Sequence, residues 1–210
     1  MCLNHLRVLE KVRFNRNTIR MKEALEKVFR SFSDLSEEDI KRGLTVFTPK
    51  FYKKNELLIE AGKTCDWIAF ISSGTLRNYY FSGKDEEVTY CLTFPNTFIT
   101  AYSSFLTGKR TFEYIQALTD VEVLMIQEKQ YHDLIRSSYG WLKFSNHFTE
   151  QSYVLMEERL LMLQMVSAEK RYADLIANHP EIIQQVPLKY IASYLGITQR
   201  HLSRLRSQLL

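Results

Sequence analysis

Gln199, Arg200, Ser203, Arg204, Ser207 and Gln208 recur at helical spacing near the end of the chain, which places their side chains on one face. Amides and guanidinium groups arrayed in this way suit paired hydrogen bonds to nucleobase edges and phosphate oxygens. Leu202, Leu205 and Leu209 fall on the opposite face, so this helix is expected to bury one side. The residues before it, Leu188 to Leu195, form a second short helix with Ile191, Ala192 and Leu195 on one face. Gly196 supplies the positive φ of a tight turn, Ala192 allows close approach, and Thr198 is a good N-cap. From Pro187 to Leu210 there is no acidic residue, against four Lys/Arg and one His. A generic helical hairpin needs the apolar stripe, but not the small Ala, the Gly turn and the acid-free outer face together. The combination predicts a DNA-binding helix-turn-helix.

Such a module needs a body to carry it. With 210 residues and 45% apolar content, the chain is long enough for a sizeable core in one or two domains, and it reads as globular. Net charge is +4 overall, with +4 in residues 1–20 and +4 in residues 187–210, which leaves −4 for the middle. That asymmetry predicts a polyanion partner at the tail alone. No apolar run reaches the roughly 18–20 residues that span a bilayer, so no membrane partner is expected. The first residues hold no apolar signal-peptide core. Cys2, Cys65 and Cys91 are isolated and odd in number, which fits unbonded thiols and a cytoplasmic location.

Four sections follow one another. Residues 1–20 are basic without a consistent stripe and are expected to be either a flexible leader, with Met21 the native start, or a basic arm. Met21 opens a helix, and residues 34–39 look like a capping region before another. Residues 44–128 hold short β-branched and aromatic runs at 56–59, 66–71, 75–81, 87–94, 112–118 and 121–126. Gly62, Gly74, Gly83, Asn96, Gly108 and Asp120 punctuate them, with Gly83 to Asp85 a hairpin tip. This spacing predicts an antiparallel sandwich or barrel. Residues 129–166 return to helix. From Trp141 to Val166 there is neither Gly nor Pro, and Phe144, Phe148, Leu155, Leu160, Leu163 and Val166 form a stripe. A helix of that length is about 38 Å long, longer than a small barrel covers, so a twofold dimer through the stripe is expected. The alternative is a helix lying wholly on its own domain. Ser167 reads as a hinge before a helix from Ala168 to Asn178.

Barrel, long helix, hinge and helix-turn-helix in this order resemble the family of the cyclic AMP receptor protein and FNR-type regulators (CRP/FNR). The resemblance covers residues 30–210. It rests on Gly62 ahead of the run from Asp66 to Arg77, on Phe98-Ile99, on Ala117 with the run from Val121 to Ile126, and most of all on the helix-turn-helix. The pattern from Leu195 to Gln199 is similar to regulators of this family common in Bacteroidetes-like genomes. What the resemblance implies is an α+β fold: an antiparallel β-roll of cyclic-nucleotide-binding-like jelly-roll type, a long dimerisation helix and a C-terminal helix-turn-helix of winged-helix type lacking most of its wing. The implied domains are an effector domain at 21–140, a dimerisation helix at 141–167 and a DNA-binding domain at 168–210. Double-stranded DNA and a second copy of the chain are the implied partners, with RNA polymerase and an unidentified small-molecule effector as further candidates. Two recognition helices about 34 Å apart would read an inverted repeat. Matched to the family motif, Gln199, Arg200 and Arg204 read bases, Arg204 at guanine and Gln199 at adenine, while Thr198, His201 and Ser203 meet phosphates.

Departures from the family bear on the effector. Its cyclic-nucleotide cassette follows Phe-Ile with Gly-Glu, where this chain has Thr100 and Ala101. The phosphate-neutralising Arg falls at Thr111; Arg110 is one position early and so on the opposite strand face, and would serve only if the loop from Leu106 to Lys109 is a residue shorter than the family's. The long-helix hydroxyls that meet the base fall at Met156 and Glu157. A buried phosphate without a paired cation costs several kcal/mol, so cyclic AMP is not expected as the ligand. Arg77, Tyr90, Tyr102, Ser103, Arg110 and Thr111 are the candidates to line a pocket for a different small molecule, the alternative being that they are core and surface. Three scattered Cys cannot hold an iron–sulfur cluster, and the five His lack metal-ligand spacing, so no metal, cofactor or enzymatic activity is expected. The competing reading is a sensing or interaction module whose helix-turn-helix no longer binds DNA specifically.

Overall fold

The structure, a computed structural model, describes the backbone of residues 2–209 and the side chains of residues 15–208. Two four-stranded antiparallel sheets face each other. One has the order β1 (Thr48–Tyr52), β8 (Val121–Gln127), β3 (Trp67–Ser73), β6 (Phe98–Ile99). The other runs β2 (Leu57–Ile59), β7 (Tyr114–Ala117), β4 (Leu76–Phe81), β5 (Glu87–Thr93). Strand β3 reads as an unbroken apolar run because both of its faces are covered. Ala69 and Ile71 point into the roll beside Val121, Val123 and Ile115, whereas Ile68 and Phe70 point out beneath helices beside Leu124 and Ile126.

Those covering helices come from both sides of the roll in the chain. Helix α1 (Cys2–Arg30) buries Met21, Leu25 and Phe29 at four-residue intervals. It runs without a break across residue 20, where composition suggested that a separate leader ends. Its last turns before Met21 dock on β8: Asn17 Nδ2 donates to Glu122 at 2.9 Å, and Arg20 pairs with the same carboxylate at 2.5 Å. Helix α2 (Glu37–Val46) starts at the expected capping box, in which Asp39 N donates to Ser36 Oγ at 3.1 Å and Ser36 N to Asp39 Oδ2 at 3.1 Å. A short helix α3 (Tyr102–Thr107) interrupts the stretch read as strands. Then α4 (Glu128–Ser137) leads to Ser138, whose hydroxyl caps α5 (Tyr139–Met165).

The apolar stripe of α5 is divided between two environments. Phe144 and Phe148 belong to the chain's own core: Phe144 meets Phe29 edge-on at 5.5 Å, and Phe148 meets Phe98 at 5.3 Å. The expectation that they face a partner is corrected on that point, because α1 and β6 already cover the first turns of α5. Beyond them the helix leaves the roll, and Tyr153, Leu155, Met156, Leu160 and Met165 are all exposed by more than half. Four further helices finish the described chain: α6 (Ala168–Asn178), α7 (Ile182–Gln185), α8 (Leu188–Tyr194) and α9 (Gln199–Leu209). Ser167, the expected hinge, has extended backbone and caps α6 through Lys170 N. The free thiols of Cys65 and Cys91 are both pushed above the ordinary value, chiefly by burial, which favours the protonated form; Cys2 lies outside the described side chains.

Gly43 marks the tightest helix contact. A Cβ there would lie 2.4 Å from the Trp141 ring and 3.1 Å from Phe29, both deep in the core. Alanine improves helix propensity by about 1 kcal/mol, but overpacking a rigid aromatic contact costs more. Gly43→Ala is therefore expected to lose about 2 kcal/mol in denaturant titration. Gly83→Ala, with no atom near the added methyl, should stay within about 0.5 kcal/mol of the parent.

Candidate nucleic-acid interface

Helix α8 ends in a Schellman motif. Ile197 N donates to Ala192 O at 3.0 Å and Gly196 N to Ser193 O at 3.0 Å, with Gly196 at φ +67. The turn is tight enough that a Cβ on Gly196 would sit 3.2 Å from Leu163 of α5. Thr198 Oγ1 then accepts from His201 N at 3.1 Å, which starts α9. Ile191, Ala192, Leu195, Leu202 and Leu205 are buried together, as their spacing predicts. Leu209 lies outside the described side chains.

The opposite face of α9 is open. Gln199, Arg200, Ser203, Arg204, Ser207 and Gln208 are all exposed, and Thr198 stands at its head. Among the described residues no carboxylate lies within ion-pair distance of Arg200 or Arg204, so both guanidinium groups keep their donors for another molecule. Ser203 Oγ donates to Gln199 O at 3.0 Å, which leaves its lone pairs outward. His201 is half-buried, 3.8 Å from the Glu169 carboxylate at the start of α6. The Glu169 carboxyl is held below the usual range by its own backbone N–H and the Ser167 hydroxyl, and further by the charges of His201 and Arg204. The acid-free segment therefore has an acid at its rim, brought there by a different helix. No local spacing in the sequence signals that neighbour.

The residues expected to line an effector pocket are dispersed. Arg77 is buried on the outer face of β4, beneath α8, and faces no chamber. Tyr90 turns inward at a β-bulge, where β4 pairs Asn78 with Cys91 and Tyr79 with Thr89. Tyr102 donates to Thr149 Oγ1 on α5 at 2.6 Å. Ser103 and Arg110 are exposed, and Thr111 is buried between backbone bonds to Gly62 and Lys63. The structure does not bring the six together. Thr100 and Ala101 are likewise committed: Thr100 Oγ1 donates to Trp67 O at 2.7 Å, and Ala101 is fully buried.

An unexpected acid occupies the interior instead. Glu113 accepts from the Tyr90 hydroxyl and from Asn78 Nδ2, the latter at 2.7 Å. Asn78 shares its sheet face with Ile115, an interior core residue, so this trio points into the roll. Burial pushes the Glu113 carboxyl above its ordinary value, although its two donors pull the other way; burial and the Glu113 charge push Tyr90 up as well. Glu113 stands two residues past Thr111, close to where the family resemblance calls for a cation. The structure thus has a neutral hydroxyl at 111 and a buried acid at 113 where that resemblance implies a phosphate-pairing cation. Among the described residues no group of three or more His, Cys, Asp or Glu is placed to hold a metal ion, and no helix is long and apolar enough to cross a membrane.

Residues 49–138 match the family model of the cyclic nucleotide-binding domain. No curated protein matches the sequence. Among solved structures, FixK2 from Bradyrhizobium japonicum superposes with a TM-score of 0.68 at 17% identity, covering 78% of this chain and 84% of that one. A protein from Eubacterium rectale assigned to the CRP/FNR family of transcriptional regulators gives 0.64 at 18%, covering 82% of each chain. The catabolite activator protein of Thermus thermophilus gives 0.53 at 20%, covering 85% of each. At these identities the likeness is one of fold: residues 49–138 are similar to the cyclic nucleotide-binding domain, on a chain whose overall fold is similar to that of these solved structures.

Proposed function

We propose that the chain is a DNA-binding transcription regulator that reads an inverted repeat as a homodimer and is not controlled by cyclic AMP. The observation that carries this reading is the open face of α9: two unpaired guanidinium groups and two amides on a helix that a Schellman turn and a buried leucine pair hold rigid. In this reading Gln199, Arg200 and Arg204 meet base edges, and Thr198, His201 and Ser203 meet phosphates. The exposed apolar second half of α5, centred on Leu155, Leu160 and Leu163, supports a twofold partner. Two recognition helices related by that axis would enter major grooves about 34 Å apart.

Independence from cyclic AMP rests on charge. A cyclic phosphate entering the roll near Thr111 would meet the buried Glu113 carboxyl, and burying two like charges together without a cation paired to the phosphate costs several kcal/mol.

The direct test is selection of genomic fragments by the purified chain at about 50 and about 200 mM salt, with and without cyclic AMP. Enrichment of one inverted repeat regardless of nucleotide supports the reading, and no enrichment at either salt removes it in favour of a partner-binding role. Arg204→Ala is expected to cost about 1–3 kcal/mol per half-site and to relax one base position. An unchanged base preference would remove Arg204 from the reading face. Leu160→Glu should shift the chain from dimer to monomer in sedimentation, by placing a charge in the apolar face.

Glu113 gives a pH signature. Its folded pKa lies above the unfolded value of about 4.3, so the folded chain holds this proton more tightly. The stability supplied by the neutral carboxyl is complete at low pH and is lost as pH rises through the folded value. Glu113→Gln keeps an accepting oxygen and cannot ionise. Its thermal midpoint should gain on the parent as pH climbs from about 4.5 and level off once Glu113 is fully ionised. A constant offset across that range would mean that the buried acid carries no ionisation cost.

A further inference from the structure

Helix α8 does more than complete the helix-turn-helix, because it also closes the open edge of the second sheet. Strand β5 is that edge, and Ser193 Oγ accepts from Thr89 N at 2.8 Å and donates to Glu87 O at 3.5 Å. Beside it, the Arg77 guanidinium is clamped between two rings. Its Cζ lies 3.9 Å from the Tyr79 ring centroid and 3.5 Å from that of Tyr190, the residue before Ile191 on α8. Arg77 is 1% exposed, and its donors are spent on Gln116 Oε1 at 2.9 Å, Thr89 Oγ1 at 3.4 Å and Glu87 Oε2 at 2.7 Å. A desolvated guanidinium stacked on rings is among the stronger cation–π arrangements. Further contacts seal the joint. Thr75 Oγ1 donates to Gln185 Oε1 at 3.1 Å, Phe94 stacks on His179 at 3.8 Å, and Leu92 and Leu118 of the roll enter the same core cluster as Tyr172, Ile182 and Val186.

The reading face of α9 points away from all of this and stays exposed. Docking therefore fixes the recognition helix without covering it. We propose that Arg77 is a positioning residue for DNA recognition: through its stack on Tyr190 it holds α8, and with it α9, in one orientation on the roll. Arg77 itself touches no DNA. This inference rests on the DNA-binding reading above. A helix-turn-helix released from the clamp samples other orientations, and apparent affinity falls with the fraction of chains in the competent one.

Tyr190→Leu in the full chain removes the outer ring and leaves the polar partners of Arg77 intact. Its affinity for the selected repeat should fall on the order of ten-fold, with the salt slope and base preference of the parent, because no phosphate or base contact is lost. Tyr190→Phe keeps the ring and should restore parental affinity. Arg77→Lys, which keeps the charge but loses the plane, should resemble Tyr190→Leu. Parental affinity in Tyr190→Leu overturns the proposal, and so does an equal loss in Tyr190→Phe, which would make the Tyr190 hydroxyl, not its ring, the group that matters. A parent that binds no DNA removes the proposed function but leaves the clamp testable by amide exchange. Faster exchange across α8 and α9 in Tyr190→Leu than in the parent supports the clamp, and equal rates overturn it.

Discussion

Three guanidinium groups converge on α8 and its C-cap Leu195, and the placement of the C-terminal helices depends on how they are satisfied. Arg77 reaches it from the roll. Arg159 reaches it from α5, donating to Tyr194 O and stacking on the Tyr194 ring at 3.9 Å. Arg171 reaches it from α6, donating to Leu195 O at 2.8 Å and to Val166 O at the end of α5. A buried guanidinium keeps its charge, so it must find acceptors or rings where water is excluded. The last carbonyls of α8 and α5 are suitable acceptors: they lack partners within their own helices and sit at the negative end of the helix dipole. Burial pushes Arg159 below the ordinary guanidinium value, the sign expected of a charge whose desolvation outweighs its partners. A seven-residue helix is too short to persist alone, so α8 exists in this form because these groups and the surrounding leucines hold it.

Inside the roll the same constraint acts with the opposite sign. Glu113 is a buried acid whose acceptor capacity is met by Tyr90 and Asn78, two neutral donors, and not by a cation. Arg77, the nearest buried cation in sequence to the trio, is turned to the other face of β4, where it serves the domain joint. Strand alternation alone separates the two roles, since Arg77 and Asn78 are neighbours in the chain and face opposite sides.

Local chemistry was legible in the sequence, and long-range chemistry was not. The helix-turn-helix could be read because every requirement lies within two dozen residues: Ala192, Gly196, Thr198 and the leucines each act on near neighbours. The strands of the roll were readable from apolar runs and turn residues, apart from the two-residue β6 and from β1, where Pro49 is tolerated only because the strand lies at an edge. The continuity of α1 was hidden because its anchor, Glu122, is about a hundred residues away. The stripe on α5 was read correctly as apolar, but periodicity cannot say which chain covers it. Glu113 and the Arg77–Tyr190 stack were missed for a similar reason, since their roles are set by cross-strand register and domain docking.

Because α5 carries both the exposed apolar face and two of the contacts to the helix-turn-helix, those surfaces are mechanically linked. Leu163 lies against the Gly196 turn, and Arg159, one helical turn earlier, grips the end of α8. A partner packing on Leu160 and its neighbours would bear on the same helical turns that hold α8 and α9. Well-packed contacts of this kind have discrete arrangements and do not deform continuously, so a change in how α5 is covered would be felt at α8 as a choice between seatings. The roll acts on α8 from the other side, through Tyr190 and Ser193. Contacts from both directions therefore meet at one short helix, with three guanidinium groups packed around its length and its C-cap.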